Sequence, residues 1–184
     1  ESVLARDLRD IAEVERLTDL PRFARLLALH SGRLVNYSQI GGAVGVSHKT
    51  AQRYVGLLEK IFLVATLPPW FSNEMKRLTR TPKLHFLDTG LLAAARGLAA
   101  EGLRSRRQEL GPLLESFVHA EVLRLRTAAP VHVSTYHFRD RDGREVDVVL
   151  EREDGSVAGI EVKARASVSP SDFAGLRTLA EGCG

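Results

Sequence analysis

Apolar residues return along this chain with two spacings, and each spacing predicts its own elements. Residues 1–17 are amphipathic at helical spacing. Asp19 is placed to cap a helix with Pro21 in its first turn, running through Phe23, Leu26, Leu27 and Leu29 to Gly32. A short helix is predicted from near Ser38, covering Ile40, Ala43 and Val44, and Gly45 makes the turn after it. Ser47 then caps a third helix over 48–61, with Ala51, Tyr54, Val55, Leu58 and Ile61 on its inner face. Two extended segments follow, 62–67 and 83–87, separated by Pro68-Pro69 and a basic stretch. Helix, short helix, glycine turn, capped helix and hairpin is the order of a winged helix.

Beyond this, Asp88 is placed to cap a helix over 89–98, and the charged, glycine-bounded stretch 101–107 reads as a loop between two halves. A longer helix is predicted over 110–127, with Leu113, Leu114, Phe117, Val118, Val122 and Leu125 apolar and with Glu115 and His119 one turn apart. After Pro130 the period changes to two. Strands are predicted over 131–139, 144–150 and 157–164, joined by turns containing Asp142-Gly143 and Asp154-Gly155. Ser169 or Ser171 starts a final helix containing Phe173, Leu176 and Leu179. The expected fold class is therefore mixed, α+β or α/β. A helical and winged-helix domain is expected over 1–90, then a domain over 91–184 in which helices flank an antiparallel meander. The second domain is expected to lack its last strand and to be truncated at its C-terminal end.

The last two strands carry the candidate chemistry. Glu145-Val146-Asp147-Val148-Val149-Leu150 and Val157-Ala158-Gly159-Ile160-Glu161-Val162-Lys163 both alternate. Val146, Val148 and Leu150 are expected on one face with Ile160 and Val162, and Glu145, Asp147, Glu161 and Lys163 on the other. The three-residue loop Glu153-Asp154-Gly155 suits a type I turn closed by a left-handed glycine. That loop pairs Arg152 with Ser156, and counting outward brings Asp147 opposite Glu161 and Glu145 opposite Lys163. A two-residue turn would instead set Asp147 opposite Val162, since a one-residue slip reverses every side chain. Opposed carboxylates repel unless a cation neutralises them, and Mg²⁺ uses one or two carboxylates together with substrate phosphate. A lysine beside such an ion can orient or deprotonate a water and stabilise developing phosphate charge. The alternative from the residues alone is a solvated strand face with one Glu145–Lys163 pair.

Composition narrows the setting. With 184 residues, 44% hydrophobic and 27% charged, the chain is an ordinary globular protein of one large or two small domains. The single cysteine, Cys183, excludes an internal disulfide and a cysteine-based zinc site, which suits the cytoplasm. No apolar run is long enough to cross a membrane, so no membrane partner is expected, and no signal peptide is expected at the start. Both ends are expected to be cut from something longer. The net charge of +3 says little, but residues 47–83 hold seven Lys or Arg against two acids. Lys49, Gln52 and Arg53 point away from the core of the third helix, where a DNA-binding helix would meet bases or phosphates, and Lys76, Arg77 and Arg80 lie in the hairpin. Packing of this helix on another protein domain is the alternative. There is no phosphate-binding glycine loop, and the six histidines show no metal-ligand spacing.

Several runs together resemble a known family. They are Val46-Ser47-His48-Lys49-Thr50-Ala51-Gln52-Arg53-Tyr54, Leu67-Pro68-Pro69-Trp70, Phe86-Leu87-Asp88-Thr89-Gly90-Leu91-Leu92, Glu115-Ser116-Phe117, the stretch 139–147, and Ile160-Glu161-Val162-Lys163-Ala164. The chain is similar over almost its whole length to the C-terminal region of a family of prokaryotic AAA-type ATPases, a region described as a domain of unknown function. The resemblance implies a winged helix followed by a domain like the PD-(D/E)xK restriction-endonuclease fold, and an N-terminal P-loop ATPase domain elsewhere in the polypeptide, with ATP bound only in the full-length protein. Asp147, Glu161 and Lys163 match the D…ExK core, and Glu115 matches a helical glutamate placed beside the metal. Val146 stands where the strict pattern has proline. Two function classes follow. One is a nuclease-like module using Mg²⁺ or Mn²⁺, with DNA as candidate partner. The other is a non-catalytic regulatory or oligomerisation module of the ATPase, with a homo-oligomer as the candidate assembly.

Overall fold

A computed structural model of the protein describes residues 20–72 and 81–182. The amphipathic segment 1–17, Asp19, the hairpin cations Lys76, Arg77 and Arg80, and Cys183 lie outside the described residues. The fold is α+β, with helices packed around two three-stranded antiparallel sheets. Among the described residues no helix is long and apolar enough to cross a membrane.

Helix caps set the first half. α1 (Leu20–Leu29) buries Phe23, Leu27 and Ala28, and is followed by β1 (Arg33–Leu34), too short to leave a periodic signal. α2 (Tyr37–Val44) starts next to Ser38, as expected, with the Asn36 carboxamide oxygen capping it by accepting the Gln39 N–H at 3.0 Å. α3 (His48–Lys60) starts where expected, with the Ser47 hydroxyl accepting the Thr50 N–H at 3.1 Å. Between them Gly45 turns left-handed, and a side chain at Gly41 would stand 2.7 Å from the Val46 carbonyl oxygen, so the two helices cross over bare backbone. Ala51, Tyr54, Val55 and Leu58 are buried as expected, but Ile61 is half exposed because α3 ends there. β2 (Val64–Leu67) and β3 (Lys83–Phe86) pair antiparallel, and β1 adds to β3 to give the order β1-β3-β2.

In the second half, Asp88 caps α4 (Thr89–Ala95) by accepting the Leu91 N–H at 2.9 Å. The stretch expected as a loop forms α5 (Ala100–Ser105), because Leu103 packs on the first core and Arg96 pairs with Glu109 across it. α6 (Leu110–Ala128) leads into β4 (Val133–Arg139), β5 (Glu145–Arg152) and β6 (Val157–Ile160), a meander in that spatial order. The β5–β6 loop is the expected three-residue one: Arg152 N–H meets the Ser156 carbonyl at 3.0 Å and Gly155 has φ +82°. The register is the expected one as well, running from Glu151↔Val157 to Val148↔Ile160. Two expectations fail. β6 stops at Ile160 instead of Ala164. The strict alternation of β5 is broken by a bulge, since Tyr136 pairs with Val149 and Phe138 with Val146. Val146 and Val149 therefore share a core with Trp70 and Leu179, while Val148 is buried outside it. Ser169 and Asp172 form a capping box ahead of α7 (Ala174–Gly182).

The two sheets are tied by polar atoms. α6 turns Leu113, Ser116, His119 and Ala120 inward and leaves Leu114, Phe117 and Leu125 exposed, so its apolar residues divide between core and surface. A relay explains this orientation: Phe86 N–H donates to Ser31, whose hydroxyl meets that of Ser116 at 2.9 Å, and Ser116 donates to the Pro112 carbonyl. His85 of β3 stacks on His119 of α6 at 4.5 Å between ring centroids. Residues 68–70 cross from β2 to the edge of β4, where Trp70 N–H meets the His137 carbonyl and Trp70 Nε1–H reaches Glu151.

Burial lowers the pKa of His119 and of His137 to about 4, and that of His85 well below the usual range. The unfolded chain takes up protons near pH 6.5, whereas the folded chain keeps these rings neutral. For His119 and His137 this contribution is complete above about pH 6.5 and is lost as the pH falls toward 4, by at most ~3 kcal/mol per ring. Urea denaturation is expected to show lower stability at about pH 5 than at about pH 7, with a smaller loss in His119→Phe. A second prediction concerns backbone contact. A side chain at Gly175 would stand 1.9 Å from the Glu145 carbonyl oxygen, so Gly175→Ala should destabilise by about 3 kcal/mol or more by pushing α7 off β5. Gly56 in α3 has open space around it, and Gly56→Ala should stabilise by about 0.5–1 kcal/mol in the same assay.

Candidate functional site

Four elements deliver charged side chains to one place. β5 supplies Glu145 and Asp147, the extended residues after β6 supply Glu161 and Lys163, α6 supplies Glu115, and β3 of the other sheet supplies Lys83. Asp147 is the hub. One of its oxygens accepts the Val162 N–H at 2.9 Å, in place of the next rung of the β5–β6 ladder, and this ends β6. The other oxygen lies 3.2 Å from the Lys83 ammonium, which also stands 3.3 Å from Glu145. Lys83 and Asp147 are 3% and 6% exposed. Burial pulls the Lys83 pKa down, but Asp147, Glu115 and Glu145 together raise it, so it stays charged.

Glu161 pairs through one oxygen with Lys163, while its second oxygen is buried without a partner among the described residues. Its pKa is raised, by burial first, with Lys163 acting against the shift. Glu115 is pushed up to about 7, by burial and then by Asp147. Gly32 makes room for it, since a side chain there would stand 3.0 Å from a Glu115 carboxylate oxygen. Glu145, Asp147, Glu161 and Glu115 thus share this region with Lys83, Lys163 and Arg139, and burial, then Asp147, favours the protonated form of Glu115.

Asp147 and Lys163 both lie next to Glu161, as the register implied, and Glu115 is within electrostatic reach of Asp147 and Lys163, but the setting differs. Asp147 is buried rather than standing on an open polar face. Glu145 pairs with Lys83 and Arg139, not with Lys163. Lys83 was legible only as one of several cations near the hairpin. Its signal is the run Lys83-Leu84-His85-Phe86, in which polar residues alternate on a strand that proves to be buried on both faces. Among the described residues no three His, Cys, Asp or Glu side chains converge as a ready-made metal cage. Of the candidate nucleic-acid contacts, Lys49, Gln52 and Arg53 are exposed on α3; Lys76, Arg77 and Arg80 are outside the described residues.

The chain matches other proteins along most of its length. It is 30% identical over 168 residues to "Uncharacterized protein Rv2008c" of Mycobacterium tuberculosis and equally to "Uncharacterized protein Mb2031c" of Mycobacterium bovis. Each alignment covers 91% of this chain but 37% of the relative, so the chain spans just over a third of the length of these curated relatives. No solved structure matches. Residues 110–184 match the family model described as Domain of unknown function (DUF4143). Residues 1–102, more than half of the chain, match the one described as Domain of unknown function (DUF8612), and it is to this family that the chain belongs.

Proposed function

We propose that this chain is the C-terminal region of an AAA-type ATPase and that its second half carries a divalent-cation-dependent phosphodiester-hydrolysing site built on Asp147, Glu161 and Lys163, with Glu115 beside them. The observation that carries this reading is the second Glu161 oxygen, buried and unpartnered next to Asp147 and Lys163. A native protein leaves a buried acceptor without a donor only rarely. The donor set fits a hard cation: carboxylate oxygens, few in number, leaving room for water and phosphate. Mg²⁺ or Mn²⁺ bound there would polarise a phosphate oxygen and acidify a water.

The chain's own residues have distinct tasks in this reading. Asp147 is held rigid by the Val162 N–H and by Lys83, so it presents a fixed oxygen. Glu161 offers its free oxygen. Lys163, one-third exposed, is the cation able to reach a phosphate or a water from the solvent side. Glu115 exchanges its proton near neutral pH and so adapts the charge of the site to what is bound. In the first half, the order of elements and the β1-β3-β2 sheet support a winged helix. Lys49, Gln52 and Arg53 would be its outward face toward DNA or a neighbouring domain, and Lys76, Arg77 and Arg80 its wing. The greater length of the relatives supports a P-loop domain, with its ATP, in the rest of the polypeptide.

A second reading, a non-catalytic module of the ATPase, is favoured by one observation. Lys83 and Lys163 already pair with Asp147, Glu145 and Glu161. Calorimetry with Mn²⁺ separates the two. Binding by the wild type, weakened at least about tenfold (1.4 kcal/mol) in Glu161→Gln, supports the cation site. Cleavage of oligonucleotides with Mg²⁺, abolished in Lys163→Ala while Mn²⁺ still binds, supports catalysis. Equal Mn²⁺ affinity in wild type and Glu161→Gln, or none in either, leaves the non-catalytic module.

A further inference from the structure

α6 turns part of its apolar surface to solvent. Leu114 and Phe117 are 37% and 48% exposed. With Ala93 of α4, Leu103 of α5 and Leu110 they line an open groove of about 480 Å³ walled by three helices. A second hollow of about 420 Å³ shares Leu103, Leu110 and Ala164 with the first and continues it to Arg104, Arg107 and Arg165. Arg165 is paired with Asp172. The guanidinium groups of Arg104 and Arg107 are exposed and have no partner among the described residues. An apolar trough that runs into two free arginines asks for a ligand that is apolar along its length and acidic at one end.

We propose that this groove receives an amphipathic helix of a protein partner. Apolar residues at i, i+3, i+4 and i+7 would lie between α4, α5 and α6, and Asp or Glu in the adjoining turn would meet Arg104 and Arg107. The competing occupants fit less well. A base-stacking platform for nucleic acid uses several aromatic rings, whereas this floor is aliphatic apart from Phe117. A second copy related by a two-fold axis would bring the same patch against itself, and neither hollow is lined by a carboxylate that could meet Arg104 and Arg107.

The test uses the full 184-residue chain and a fluorescein-labelled synthetic peptide with leucines at helical spacing followed by glutamates, beside a scrambled peptide of the same composition. The helical peptide should bind and the scrambled one should not. Phe117→Asp should weaken binding about tenfold or more. Arg104→Glu with Arg107→Glu should weaken it to a similar degree and remove its salt dependence. The altered side chains are at the surface, so an unchanged circular-dichroism spectrum and melting temperature will show that the fold is intact. Four outcomes overturn the proposal: no binding; equal binding of the scrambled peptide; binding that neither variant changes; or displacement of the peptide by a labelled oligonucleotide. Wild-type dimerisation by sedimentation that disappears in Phe117→Asp would assign the groove to a second copy and overturn it too.

Discussion

The Lys83 ammonium is buried between carboxylates of a different sheet, and much of the molecule follows from that placement. An ammonium withdrawn from water is tolerated only beside compensating charge, and removing one member of a buried pair costs about 3–5 kcal/mol. Asp147 and Glu145 supply the charge from β5, so β3 is held against the second half at one register. The neighbouring strand positions must then be compatible with a buried cation. His85 and His137 are, because they stay neutral: burial lowers both, and the charge on Lys83 lowers them further. α6 in turn meets this junction with Ser116 and His119 rather than with leucines.

The same interaction defines the candidate site. Asp147 divides its two oxygens between Lys83 and the Val162 N–H, which leads the chain away from β6 and brings Glu161 and Lys163 alongside. The site is thus composite: three elements of the second half and one strand of the first contribute charge to it. Two features mark its electrostatics: Glu115, pushed up to about 7 by burial first and then by Asp147, and a Glu161 oxygen with no donor among the described residues. Both are the marks of a place where a further positive group is accommodated at little cost.

Local chemistry was readable in the sequence and long-range packing was not. Ser47 and Asp88 are caps because a short oxygen-bearing side chain ahead of a helix finds its N–H groups without help from the rest of the fold. Glu153-Asp154-Gly155 fixes the hairpin register for the same reason, and the register carries the strands to Val148↔Ile160, beyond which the Val162 N–H bond to Asp147 brings Glu161 and Lys163 alongside. The bulge in β5 leaves no trace in a pattern of valines, because Val148 and Val149 are both buried in either register. α5 is a single short helix stabilised by Leu103 and an Arg96–Glu109 pair, contacts that a charged sequence does not reveal. The role of Lys83 depends on a partner sixty-four positions away in the chain. The apolar residues of α6 divide between core and surface, Leu113 buried and Leu114, Phe117 and Leu125 exposed, a split set by the inward Ser116 and its bond to Ser31, which their spacing does not reveal.

The claim that one buried ion pair unites the two halves and the site is tested most directly by a double-mutant cycle. Lys83→Met, Asp147→Asn and the double variant would be compared with the wild type by urea denaturation. Each single substitution is predicted to destabilise by about 3 kcal/mol or more. The double variant should lose much less than the two together, with a coupling energy of at least about 1 kcal/mol. Losses that add within about 0.5 kcal/mol would show two independent residues, and would contradict the account.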